Sequence, residues 1–426
     1  MMMNNLIKKI TLILIIILLI FPNIQTIGAL SFEKKTDLNI EEKKELYLMK
    51  SEHYLQLNAS ENTDSFNLNF VFPPDYEYQI PILLEIHTDT TAKISQYKIE
   101  DDKNEPNKLI NFTIESVEKY ESIMIHFSCW VIVQNHNFED LPRNVRFPKK
   151  KNLPEETKTW LVSTEVVQKN KFLVRQKAHQ LRGFSNNLIK FANRVAKFIK
   201  YHRYMLFLMQ LYLRIFFSQD ALTTLLINGE NVGRSHLACA FFRGYNVPAR
   251  VLLVHNDQGF WTQMHFMVEY FCPGYGWVLI DTTKGQTPYA TKRQIINRIC
   301  YPEDEEDTRN DYIYSRMKGE ERWLWIDNDN IKPVYIDCNK GSKSQMFYEG
   351  NIEVDEFSAD YAFLLAHLVY YQYEKYVGEN LTGQNQIYFQ NALIFHKSAL
   401  DSFKQSNLNS YLDNMYLAYQ EYLKIS

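Results

Sequence analysis

Residues 229–250 read GENVGRSHLACAFFRGYNVPAR, and residues 265–283 read HFMVEYFCPGYGWVLIDTT. Gly229 closes the preceding segment, and a helix is expected to begin near Asn231. Asparagine suits that start, because its side-chain oxygen accepts N–H bonds from a first helical turn. Cys239, two turns along, reads as a buried core thiol. The run Asn246-Val247-Pro248-Ala249-Arg250 reads as a turn. Its Asn246 takes a left-handed position, for which asparagine is the best residue after glycine.

In order and spacing the two stretches resemble the transglutaminase-like superfamily. The core of that family runs G-x-C, a helix, R-x-x-G-(I/V)-P-A-R, H-x-W-x-E and G-W-x-x-x-D-x-T. The family cysteine lies seventeen residues before the proline of the P-A-R turn, and 248 − 17 is position 231. Around it Gly229, Gly233 and Ser235 fall on the small-residue positions, and Arg243 opens the turn motif. Three positions depart from the pattern: Asn231 replaces the nucleophile, Asn246 the turn glycine, and Met267 the tryptophan. The resemblance implies that His265 is the family histidine and Glu269 the acid of its motif. It also makes Gly276-Trp277 and Asp281-Thr282-Thr283 the last motif, with Asp281 orienting the imidazole.

The chemistry of active relatives needs a thiolate that attacks an amide carbonyl and an imidazole that activates it and protonates the leaving amine. A helix N-terminus favours the thiolate through its dipole. Asn231 cannot replace it, since a neutral carboxamide has no thiol or hydroxyl to deprotonate. The substitution keeps the helix start and removes the catalyst. The leading expectation is therefore a catalytically degenerate core whose groove binds a peptide or amide group. That groove would be lined by His265, Asp281, Trp277, Glu269 and the helix start at Asn231.

Two alternatives stay open. Reading Gly233-Arg234-Ser235 as the nucleophile motif gives a Ser235-His265-Asp281 amide hydrolase or acyltransferase, but breaks the spacing to Pro248. The other is a structural envelope protein. No cofactor or metal is expected. The acidic run at residues 303–307 reads as a solvated loop, since consecutive acids lack the alternating geometry of a calcium loop.

The rest of the chain supplies the setting. With 426 residues, 46% of them hydrophobic, it has enough apolar material for more than one core. A net charge of −3 argues against a nucleic-acid partner, which would call for a basic surface. Lys8 and Lys9 precede the apolar run at residues 10–21, then Pro22 and the small residues Gly28 and Ala29. Residues 1–29 therefore read as an export signal or, if retained, an N-terminal anchor attaching the protein to the outer face of a membrane. The apolar stretch 205–217 includes Gln210 and Arg214 and reads as a buried helix. The five cysteines form no C-x-x-C pair. Up to two disulfides fit an oxidising compartment, with pairing open.

The fold class expected is α+β. A β-sandwich (Ig-like) domain over 32–138 carries strands at FNLNFVF, QIPILLEIH, KLINFTIESV and SIMIHFSCWVIV. An exposed linker over 139–160 contains Pro142, Pro148, Pro154 and the basic run 149–151. A papain-like transglutaminase core covers 161–350, with a helix marked by Leu188, Phe191, Ala192, Val195, Phe198 and Ile199. A C-terminal helical domain over 351–426 holds helices at 356–376, 385–405 and 407–424. A protein or peptide is the expected partner.

Overall fold

The structure is a computed structural model that describes residues 43–202, 218–227, 229–256, 264–290, 292–308, 323–334 and 343–426. The N-terminal segment 1–29, the apolar stretch 205–217 and Cys338 lie outside them. Among the described residues no helix is long and apolar enough to cross a membrane.

Strands come first: β1 (Lys43–Ala59), β2 (Phe66–Phe72), β3 (Gln79–Ile86), β4 (Ile94–Asp101), β5 (Lys108–Ile114) and β6 (Ser122–Gln134). β2, β3, β5 and β6 fall on the four stretches marked by alternation. β1 is missed because its inward face carries Ser51 and His53, both fully buried, so polarity and burial do not coincide. The central helices are α1 (Phe172–Arg182), α2 (Leu188–Tyr201), α3 (Ala221–Leu226) and α4 (Asn231–Arg243). They lead into β7 (Ala249–Asn256), β8 (Met264–Cys272), β9 (Gly276–Ile280), β10 (Gln294–Ile299) and α5 (Pro302–Asp307). The chain ends with β11 (Leu324–Ile326), β12 (Ile331–Pro333), β13 (Lys343–Asp355), α6 (Glu356–Tyr376), α7 (Gly383–Lys404) and α8 (Leu408–Tyr422). These helices match the three C-terminal segments expected.

The protein is thus mixed α/β, with a sheet-rich N-terminal region, a central sheet packed on helices and a helical C-terminal region. Its first sheet runs β12-β1-β6-β3, with β13 also on β1, and its second β11-β2-β5-β4. They face each other through Phe127 of the first and Phe70 and Phe112 of the second, with ring centroids 5.6 and 5.5 Å apart. The central sheet runs β10-β7-β8-β9.

One boundary is corrected. The segment 324–350 is expected in the core, yet β11 pairs with β2, and β12 and β13 extend along one edge of β1. Lys43 stands opposite Asp355 and Ala59 opposite Ile331, so the N-terminal sheets are closed by chain that follows the core. Pairing at such separation leaves no local signature in the sequence. The linker is corrected as well. Lys149 to Lys151 are exposed, but Leu153 and Trp160 are buried, and the Trp160 indole donates to the Cys300 carbonyl at 3.1 Å.

β10 is an edge strand, and the unpaired groups of an edge need partners. Two buried amides supply them. Gln79 exchanges hydrogen bonds with the Ile296 N–H and C=O at 2.8 Å each, and Asn107 does the same with Ile299 at 2.8 Å. Each amide imitates a neighbouring strand and fixes the central sheet to the N-terminal pair. Asn107→Leu orphans both Ile299 groups, at about 1–3 kcal/mol for each group left buried without a partner. Urea unfolding should show this as a lowered midpoint.

The C-terminal helices pack on the first sheet. The Tyr373 hydroxyl on α6 accepts from the Leu84 N–H at 3.2 Å and donates to the Leu84 carbonyl at 3.1 Å. His396 on α7 is fully buried, and burial lowers its imidazole to about 3. His53 is also held well below its usual range, by burial first and by His255 second. Unfolded, each histidine titrates near 6.5 and takes up a proton the folded state refuses. The stability is therefore fully present above about pH 6.5 and falls with decreasing pH, at roughly 1.4 kcal/mol per pH unit for each group. The urea midpoint should drop between pH 7.5 and 5.5, and drop less in His396→Leu.

Candidate active site

The start of α4 is fixed by the segment before it. The Glu230 N–H donates to the Gln219 side-chain oxygen at 2.8 Å, and His236 bridges the Gln219 carbonyl at 2.6 Å and the Thr308 hydroxyl at 2.7 Å. Gly229 and Gly233 are needed for close approach. A Cβ at either would stand 2.5 Å from the Thr224 hydroxyl on α3. Gly233 would also meet the Gln219 side-chain oxygen at 2.7 Å. Asn246 adopts φ 58°, the left-handed conformation its place in the turn requires.

Glu230, and not Asn231, holds the N-cap position, without a side-chain capping bond. The Asn231 carboxamide turns instead toward β8, where its Nδ2 lies 3.0 Å from His265 Nδ1. An amide nitrogen can only donate, so Nδ1 is the accepting nitrogen and the imidazole proton sits on Nε2. Nε2 faces Asp281 Oδ1 at 3.7 Å. That distance is too long for a hydrogen bond, so the carboxylate stands behind the imidazole without bonding it. Asp281 is buried, and its Oδ1 accepts from the Thr283 and Lys284 N–H groups at 2.8 and 2.9 Å. Burial pushes its carboxyl up, but His265 and the Lys284 N–H outweigh that and hold it below the ordinary carboxylate value. Asn231, His265 and Asp281 thus stand in a row, carboxamide, imidazole and carboxylate in that order. Asn231 Oδ1 and His265 Nε2 are buried without hydrogen-bond partners in this row.

Ser235 is elsewhere. It is fully buried, and its hydroxyl lies against the Asn231 carbonyl at 2.8 Å and the Phe266 carbonyl at 3.3 Å. Among the described residues no hydrogen bond joins it to His265, so a Ser235-His265-Asp281 triad is not assembled. Its place one helical turn deeper, about 6 Å along the axis, is the reason. Cys239 is a buried thiol pushed upward by burial, as are Cys129 and Cys272, and none of the three is in a disulfide.

Trp277 and Glu269 do not line this site, which corrects the groove expected. Glu269 lies four strand positions from His265, roughly 13 Å along β8, and Trp277 pairs with Phe271, roughly 20 Å along. Both instead enclose Arg250. Its guanidinium sits 3.7 Å over the Trp277 ring and 4.9 Å over Trp160, and its Nε donates to Glu269 at 2.9 Å. The Tyr76 hydroxyl also donates to Glu269, at 3.0 Å, tying the N-terminal sheets to the core.

The acidic run at 303–307 is a helix, α5, and not a solvated loop. Glu305 is fully buried against Arg243 at the end of α4, and Asp304 is buried against Arg298 at 3.0 Å. Sequence reasoning missed Gln219 and Thr224, whose roles come from contacts that no motif records.

Comparison with known proteins follows the same lines. The family model of the transglutaminase-like superfamily core matches residues 175–282. No curated protein matches the chain. Among solved structures it is similar to one titled "Putative Cysteine Protease" from Cytophaga hutchinsonii, at 12% identity, covering 71% of this chain and 98% of that one with a TM-score of 0.46. It is also similar to one titled "Putative Protease" from Parabacteroides distasonis, at 13% identity, covering 54% and 42% with a TM-score of 0.22. By motif order, spacing and family match, the segment 175–282 of this chain belongs to the transglutaminase-like superfamily.

Proposed function

We propose that this core is a degenerate amide-acyl transfer site that holds a peptide or amide group without cleaving it. The observation that carries the proposal is the Asn231 carboxamide, placed on the His265 imidazole at 3.0 Å where the nucleophile belongs. A carboxamide there offers hydrogen bonds and no attack. The buried Asn231 Oδ1, an acceptor left without a partner, is the atom a ligand amide N–H would satisfy. In the same reading the facing N-terminal sheets are an Ig-like β-sandwich, and the protein is exported, with its N-terminal segment as signal or membrane anchor. The sandwich and the C-terminal helices serve attachment to a protein partner.

The test is a titration with an N-acetylated glutamine-containing peptide, following the His265 imidazole by NMR and the peptide by mass spectrometry. Saturable shifts with intact peptide are expected, weakened in Asn231→Ala. Peptide hydrolysis by the natural chain that is lost in Ser235→Ala would establish the serine hydrolase instead. Shifts unchanged in Asn231→Ala and abolished by no substitution in the row would leave a structural protein and overturn the proposal.

A further inference from the structure

Three neighbouring strands of the first sheet bring Glu52, His87 and His126 together. Glu52 is on β1, His126 on β6, and His87 immediately follows β3. Glu52 stands opposite Ser128 and Tyr54 opposite His126, while the His87 N–H donates to the His126 carbonyl at 2.8 Å. Phe127, the next residue of β6, points the other way and packs on Phe70 of the facing sheet. The three side chains therefore share the outer face, on strands about 5 Å apart. One ligand atom from each lies within 4.8 Å of the others, and all three residues are half-buried.

The hydrogen bonds around His126 are the informative part. Its Nδ1 lies 2.7 and 3.0 Å from the two Asp89 carboxylate oxygens, and its Nε2 lies 3.1 Å from Glu52 Oε1. Both His126 nitrogens thus face carboxylates, Asp89 on one side and Glu52 on the other, and the His87 ring is stacked on the imidazole at 4.0 Å. With Nδ1–H given to Asp89, the Nε2 lone pair and the Glu52 oxygen stand side by side as two ligand atoms, with His87 as the third. Ligands bound at about 2.0–2.1 Å with a tetrahedral angle stand roughly 3.3 Å apart, close to the 3.1 Å between Glu52 Oε1 and His126 Nε2. Asp89 on the far nitrogen is the carboxylate that orients a ligating histidine and raises its basicity. His87 is steadied by the Ser128 hydroxyl at 2.7 Å, and Lys50 occupies the other Glu52 oxygen at 3.0 Å.

We propose that Glu52, His87 and His126 bind a divalent transition-metal ion, zinc by the nitrogen and carboxylate character of the set, with Asp89 as the outer partner of His126. The ion would join β1, β6 and the end of β3 across the outer face. No sequence motif marks these ligands, because the three residues are spread over three strands.

The test loads the purified full chain with Zn²⁺, removes the excess and measures bound zinc by mass spectrometry and affinity by competition with a chromophoric chelator. About one ion per chain is expected. Asp89→Asn should weaken binding roughly 10–100-fold, and loss of the ligand in His126→Ala or Glu52→Gln should weaken it further. Far-UV circular dichroism establishes that each variant is folded, and Glu52→Gln keeps size and shape if His126→Ala does not fold. A natural chain that retains no zinc overturns the proposal, and so does equal retention by folded His126→Ala or Glu52→Gln.

Discussion

Glu305→Ala should destabilise the protein by about 3–5 kcal/mol, because it leaves a guanidinium buried without its counter-ion. Arg243 and Glu305 are both essentially inaccessible. Arg243 Nη1 donates to Glu305 Oε2 at 3.1 Å, its Nη2 pairs with Oε1, and its Nε donates to the Ala249 carbonyl at 2.9 Å. The Thr164 hydroxyl adds a bond to Glu305 at 2.9 Å. This network fastens the end of α4 to α5 and so holds the helix whose other end carries Asn231. Removing both charges in Arg243→Met with Glu305→Leu should be far milder than Glu305→Ala, since apolar replacement of a whole buried pair is often nearly neutral. Chemical denaturation of the natural chain, Arg243→Met, Glu305→Leu and the double variant gives the coupling directly, and additive losses would contradict the network.

The sequence makes the core legible where function has fixed both spacing and residue type. Counting back from Pro248 reaches the start of α4, and Asn246 takes the left-handed turn its side chain allows. Facing-sheet strands are legible where one face is apolar and the other polar, as in β2 and β5. They are not legible in β1, whose buried face holds Ser51 and His53. Closure of the N-terminal sheets by β11, β12 and β13 depends on pairing across the whole core, which no local pattern encodes. The acidic run misleads for a related reason. Five consecutive acids look solvated, yet Asp304 and Glu305 are buried by arginines that stand nearby only in the folded chain. Trp277 and Glu269 sit in the motif and still lie away from His265, because in the folded chain they pack around Arg250.

The second large effect is a gain. Asn231→Cys puts a thiol where the carboxamide now meets His265 Nδ1, at a helix N-terminus that favours the thiolate. His265 already presents its accepting nitrogen to that position, with Asp281 behind Nε2 at 3.7 Å. The Asp281 carboxylate is held in place by two backbone N–H groups. In the Asn231→Cys background, His265→Ala should reduce turnover by roughly 10²–10⁴-fold, the usual contribution of a positioned general base. Ser235→Ala should leave that turnover in place, since its hydroxyl is committed to backbone carbonyls.

The most direct measurement is the side-by-side turnover of a glutamine-donor peptide by the natural chain and by Asn231→Cys, scoring both amine incorporation and hydrolysis. The account predicts no turnover by the natural chain and measurable turnover by the variant. Turnover by the natural chain that survives Asn231→Ala and disappears in Ser235→Ala would contradict it.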